Sequence, residues 1–118
     1  MHLMEQLAER LKGLSDPTRL RLLALLDCGE LCICDLMEAL SLPQSKVSRH
    51  MSFLKKSGWV TSHRKGKWVY YTLADPDDQL QVAILTTLRE YLPNLAVGAE
   101  DHERLKQYLK IKNADSCG

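Results

Sequence analysis

At Gly58 the hydrophobic period of this chain passes from about 3.6 residues to 2. A chain patterned this way folds as a set of helices followed by a β-hairpin. Prolines and glycines cut the helical part into pieces. Asp16-Pro17 and Asp75-Pro76 each read as a helix N-cap with proline at the first helical position, and Pro43 plays a similar first-turn role. Gly13, Gly29 and Gly58 each follow an apolar-periodic stretch, where a helix C-cap favours glycine. The marks predict helices over 3–13, 17–28, 32–40 and 44–57. Leu3, Leu7, Leu11 and Leu14 stripe the first. The second carries Leu20, Leu22, Leu23, Leu25 and Leu26, is apolar nearly all round, and is the expected central helix. Leu36, Met37 and Leu40 face inward from the third helix, and Val47, Met51 and Leu54 from the fourth.

Beyond Gly58, the runs Trp59–Arg64 and Lys67–Leu73 are rich in β-branched and aromatic residues and read as strands, with Lys65-Gly66 as the tight turn. A fifth helix over 77–92 carries Ile84, Leu85, Leu88, Tyr91 and Leu92, and Pro93-Asn94 stops it. A last amphipathic segment over 99–112 carries Leu105, Tyr108, Leu109 and Ile111, and 113–118 reads as a frayed tail. The expected fold is mainly α: a winged helix-turn-helix of order α-α-α-α-β-β-α with an extra C-terminal helix. Its length of 118 residues and 45% apolar content suit one domain with a short extension. The expected division is a winged helix-turn-helix with dimerisation helices over 1–92, then a C-terminal helix and flexible tail over 93–118.

Charge narrows the function. The net charge is only +1, yet Ala39–Ala74 holds seven lysines and arginines and no carboxylate. A solvated face normally mixes both signs, so a one-sign block points to a polyanion. The short third helix, the link Ser41-Leu42-Pro43 and the basic fourth helix form a helix-turn-helix arrangement. Gln44, Ser45, Lys46, Ser48, Arg49 and His50 are the candidate DNA contacts on the fourth helix, because Gln and Arg pair with base edges and Ser and Lys reach phosphates. His50 also reads as a packed histidine, and Gln44 and Ser45 as simple helix-start residues. Arg64, Lys65 and Lys67 give the hairpin a basic tip, the wing, expected near the minor groove or backbone. One such module contacts few base pairs, so a homodimer on a pseudo-palindromic operator is expected.

Two thiols, Cys32 and Cys34, open the third helix. The positive end of a helix favours thiolates, which select soft, thiophilic ions. Positions i and i+2 diverge on a helix, so one ion holding both sulfurs is expected to distort the first turn and with it the support of the reading helix. Two buried cysteines packing the third helix on the second would explain the pair equally. Structural zinc needs four ligands at paired spacings, and only one close pair exists. No phosphate-binding glycine loop or Gly-x-Ser-x-Gly motif is present, so no enzyme is expected. No apolar run approaches 18 residues, so no membrane partner is expected. The amino terminus lacks a signal-peptide pattern, which points to the cytoplasm and reduced thiols.

The stretches Leu14-Ser15-Asp16-Pro17-Thr18-Arg19-Leu20, Glu30-Leu31-Cys32-Ile33-Cys34-Asp35-Leu36, Gln44–Met51, Gly58-Trp59-Val60 and Arg64–Trp68 together resemble the ArsR/SmtB family of metal-responsive repressors. Glu30–Leu36 is similar to the arsenical-sensing branch. The resemblance implies a homodimeric repressor that leaves its operator when As(III) or Sb(III) binds the cysteines, and that controls an arsenic-resistance operon. Arsenical sensors carry a third cysteine three residues after the second, and here Met37 stands there. Cys28 and Cys117 are the candidates for a third ligand; a small exogenous thiol, or a preference for mono-organic arsenicals, are the other readings. A cadmium/lead sensor and a thiol redox or persulfide switch are the alternatives on the same fold.

Overall fold

The computed structural model describes the backbone of residues 2–76 and 78–117 and the side chains of residues 3–76 and 78–113. Asp16 starts the central helix. Its Oδ2 accepts the Arg19 N–H at 3.0 Å and Pro17 fills the first turn, which satisfies an orphan donor where the helix begins. The elements in chain order are α1 (His2–Leu14), α2 (Pro17–Leu26), β1 (Leu31–Cys32), α3 (Ile33–Leu40), α4 (Gln44–Lys56), β2 (Val60–Lys65), β3 (Trp68–Leu73), α5 (Gln79–Tyr91), a single 3-10 turn (Leu92–Asn94) and α6 (Ala96–Cys117). This is a winged helix-turn-helix, as expected. Leu22, Leu23, Leu25 and Leu26 of α2 are buried, and around them close Leu36 and Leu40 of α3, Val47, Met51 and Leu54 of α4, and Trp59.

Several boundaries differ from the sequence expectation, each for a local reason. The strand β1 was not foreseen: two residues are too short to show a period. It pairs antiparallel with β3, Leu31 opposite Tyr71 and Cys32 opposite Tyr70, and the sheet order is β1-β3-β2. Lys65 pairs with Trp68, so the hairpin turn is Gly66-Lys67 rather than Lys65-Gly66, and Gly66 takes the positive φ of 62° at the first turn position. Asp75-Pro76 does not cap α5. The Ala74 N–H is still bonded to Trp59 O at 2.9 Å, so the chain is extended there, and Asp78 caps instead by accepting the Gln81 N–H at 2.8 Å. The final helix runs over Ala96–Cys117, longer than 99–112, with no frayed backbone over 113–117. Its last turns carry no apolar stripe, so periodicity could not reveal them.

That helix belongs to the core. Leu105 is buried among the α2 and α3 leucines. Asp101 of α6 is also buried. It takes both nitrogens of the Arg21 fork at 2.8 Å, and Arg104 at 2.6 Å. Arg104 Nε donates to the Ala39 carbonyl at 2.7 Å, fastening α6 to the end of α3. By contrast, Leu3 and Met4 of α1 and Leu80, Val82 and Tyr91 of α5 are exposed, so these two helices keep apolar surface that the single chain does not cover.

Gly13 is not a C-cap. It lies inside α1, where a β-carbon would fall 2.1 Å from Ser57 Oγ. Its bare backbone lets α1 rest on the junction between α4 and β2, where Trp59 Nε1 donates to Arg10 O at 2.7 Å. Gly13→Ala should therefore destabilise the fold by about 1–3 kcal/mol through forced repacking, read as a lowered urea midpoint with an unchanged slope.

Candidate functional site

The α3–α4 pair presents a reading helix on a fixed support. Ser41 takes a left-handed conformation at φ 55° and the Leu42 N–H returns to Met37 O at 3.2 Å, which reverses the chain tightly before Pro43 starts α4. With Val47, Met51 and Leu54 fully buried, α4 turns Gln44, Ser45, Lys46 and Arg49 to solvent and leaves Ser48 half-buried. His50 departs from the expected exposed face. It is 9% exposed, with Nδ1 3.3 Å from Arg19 Nη1 and 3.8 Å from Asp16 Oδ2. The residue before the buried Met51 turns inward, toward the start of α2. Burial holds its imidazole below the ordinary value, Asp16 opposes this, and Arg19, Arg49 and Lys46 add to it.

In the wing, Arg64, Lys65 and Lys67 are exposed. The block that lacks carboxylates in sequence acquires one in space. Glu30 binds Lys65 Nζ at 2.7 Å and His63 Nε2 at 2.8 Å. Lys65 is the chief reason its carboxyl sits below the usual range. Lys67 lies over the Trp68 ring at 5.6 Å.

Glu30 stands two residues before the thiol site. Cys32 is the last residue of β1 and the N-cap of α3 at once, with extended backbone (φ −92°, ψ 170°) and 4% exposure. Cys34, in the first turn of α3, is exposed. Because Cys32 lies outside the helix, the i, i+2 divergence does not apply. The two thiols influence each other with the first turn of α3 regular. Nor is the Cys34 thiol lowered as the helix terminus suggested. Burial pushes it above its ordinary 9.0, Cys32 and Asp35 add to the rise, and Lys112 opposes it.

Asp35 organises the surroundings. It is 3% exposed; Oδ2 accepts the Cys32 N–H at 2.9 Å and Oδ1 accepts Lys112 Nζ at 2.7 Å. Lys112 also donates to Cys32 Sγ at 3.6 Å. Asp35 was within reach of sequence reasoning, since an acid three residues after an N-cap is a capping signature. Lys112, on the far helix, left no signal. Cys28 is exposed beyond α2, its thiol pushed up by burial and Asp27. Among the described residues no three His, Cys, Asp or Glu side chains are grouped to hold a metal, so Cys28 is not brought to the pair. Met37 packs on the core, and the side chain of Cys117 lies outside the described residues.

A winged helix-turn-helix with a basic, exposed second helix is the architecture of DNA-binding regulators. The family described as "Bacterial regulatory protein, arsR family" matches residues 16–62. The "Arsenical resistance operon repressor" of Staphylococcus aureus is 43% identical over 79 residues, 65% of this chain and 76% of that protein. The protein of the same name from Escherichia coli (strain K12) is 48% identical over 64 residues, 53% of this chain. The matched part spans about half of that relative, 55% of its length. Among solved structures, the homodimeric winged helix-turn-helix DNA-binding domain Mb0332 from Mycobacterium bovis superposes with TM-score 0.65 at 28% identity, covering 80% of this chain and 89% of that one. The chain belongs to the arsR family.

The buried His50 yields a pH prediction. Its folded pKa lies below the 6.5 of a free imidazole, so between the two values the unfolded chain binds the extra proton. The stabilisation is complete above 6.5 and is lost as pH falls toward the folded value. Urea midpoints measured between about pH 7.5 and pH 5 should fall for the wild type, and His50→Gln should flatten that part of the slope.

Proposed function

We propose that this chain is a dimeric transcriptional repressor of an arsenic-resistance operon. It binds a pseudo-palindromic operator through Gln44, Ser45, Lys46, Ser48 and Arg49 of α4 and through Arg64, Lys65 and Lys67 of the wing. As(III) or Sb(III) held by Cys32 and Cys34 releases it. The proposed setting is the cytoplasm, where thiols stay reduced, and the role is regulatory rather than catalytic. The relatives named as arsenical resistance repressors support the inducer class, and the homodimeric Mb0332 domain supports the dimer. The uncovered apolar surfaces of α1 and α5 suit the two-fold contact.

One observation carries the reading: Cys32 sits where β1 joins α3. The β1 ladder ties it to Tyr70 of the wing strand, and α3 supports the reading helix. The donor set fits a soft ion. The two cysteines are two residues apart, one exposed for entry and one buried for retention, and Lys112 donates to the buried sulfur. An ion gripping both sulfurs pulls on the first turn of α3 and on β1 together. It therefore binds better to an arrangement in which helix and wing no longer match DNA. Such differential affinity is what release requires.

Stoichiometric As(III) should dissociate a protein–operator complex in a fluorescence anisotropy assay. Cys32→Ser and Cys34→Ser should each keep operator binding and lose the response. Release by oxidant alone, with As(III) inert, would make the pair a redox switch instead. Operator affinity should fall steeply with salt, and Lys65→Ala with Lys67→Ala should reduce the log–log salt slope by about one to two while weakening all sequences alike. A loss confined to one operator position would contradict the assignment of these lysines to phosphates.

A further inference from the structure

Trivalent arsenic and antimony make three bonds, and the site supplies two sulfurs. No third Cys, His, Asp or Glu joins Cys32 and Cys34 in a metal-holding group among the described residues. What stands beside the sulfurs is an ion pair. Lys112 Nζ donates to Asp35 Oδ1 at 2.7 Å and to Cys32 Sγ at 3.6 Å. An ammonium has three donors, so these two hydrogen bonds leave one, beside a Tyr108 ring whose centroid lies 5.9 Å from Nζ. A carboxylate has about four acceptor positions, and Asp35 uses one for Lys112 and one for the Cys32 N–H. The pair therefore offers a free donor and a free acceptor together, the complement of a hydroxyl group. Nor is Lys112 a loose surface lysine. Its helix is held by Leu105 in the core and by Arg104 on the Ala39 carbonyl. A third thiolate would instead place a further negative charge against a carboxylate that is already buried.

We infer that Lys112 and Asp35 form an oxygen subsite: the ion bound by Cys32 and Cys34 keeps one of its own hydroxyl groups as third ligand, and Lys112 holds that oxygen. This rests on the thiol pair being the inducer site. The step balances without any oxidant. Arsenous acid, As(OH)3, exchanges two As–O bonds for two As–S bonds. Each thiol proton leaves with a displaced hydroxide as water, and arsenic stays trivalent with one hydroxyl. The subsite then selects among arsenicals. A mono-organic arsenical such as phenylarsine oxide carries carbon as its third substituent, binds through the same two sulfurs with loss of one water, and offers Lys112 nothing to hold.

Calorimetric titration of the full chain with arsenite and with phenylarsine oxide tests this. Lys112→Met combined with Asp35→Asn, which strands no buried charge and keeps an acceptor for the Cys32 N–H, should bind arsenite about tenfold more weakly, the effect of losing one charge-assisted hydrogen bond. Its affinity for phenylarsine oxide should be unchanged, which also reports an intact site. Lys112→Arg, which keeps charge and donors, should restore most of the arsenite affinity. Arsenic-edge absorption of the arsenite-loaded wild type should count two sulfurs and one oxygen. Equal losses for both arsenicals would mean a structural lysine and overturn the inference, as would unchanged binding of both or a count of three sulfurs. A wild type that binds neither compound fails at the earlier step and removes the inducer assignment itself.

Discussion

A single buried carboxylate joins three parts of this protein. Asp35 accepts from the Cys32 backbone and from Lys112, so the first turn of α3, the strand that enters it and the C-terminal helix share one hydrogen-bonded node. Burying a carboxylate is costly unless it is paired and its lone pairs are used. Removing either partner would leave an uncompensated buried charge, so the node holds as a unit or fails as one. That is a suitable base for a switch. Cores and buried networks have discrete arrangements and do not deform continuously.

A second buried carboxylate repeats the arrangement nearer the start of α6. Asp101 receives Arg21 from α2 and Arg104 from its own helix, while Arg104 reaches back to the end of α3. The C-terminal helix is thus pinned at two points along the supporting helix: near the start of α3 through Lys112 and at its end through Arg104. A ligand that disturbs the start of α3 meets resistance from a helix fastened to both of its ends.

The parts legible in the sequence were those written in local pattern. The stripe Val47, Met51, Leu54 orients α4, and the change of period at Gly58 announces the hairpin, because each side chain's face follows from its own position in the repeat. Features set by distant partners were not legible. That His50 could be packed was legible, but its partners were not: Asp16 and Arg19, from another helix, await it. Asp75 and Asp78 are equally good caps in isolation. The hydrogen bond from Ala74 to Trp59 decides between them by keeping the chain extended. Lys112 meets Asp35 across 77 positions of sequence, and no spacing rule reaches that far. At the thiol site the residues were legible and their geometry was not, since the two-residue strand that takes Cys32 out of the helix exists only through its partner β3.

The charge pattern changes meaning in the same way. Read along the chain, the basic block is free of carboxylates; in space Glu30 enters it and takes up Lys65 and His63. These contacts are on the surface, so each contributes little to stability. Their position matters more than their strength. Glu30 leads directly into Leu31 and Cys32, which pair with Tyr71 and Tyr70 of the wing. The wing is therefore held to the thiol site twice, by the β1 ladder and by an ionic contact at its tip. Under the proposed DNA contact of Lys65, Glu30 competes with phosphates for the same lysine. An arrangement that draws Glu30 away frees Lys65 for phosphate, and one that fixes Glu30 on the wing withholds it. Such a contact and the pull proposed for an ion on the two sulfurs would act on one equilibrium, and contributions of that kind sum in the free-energy difference between bound and released forms.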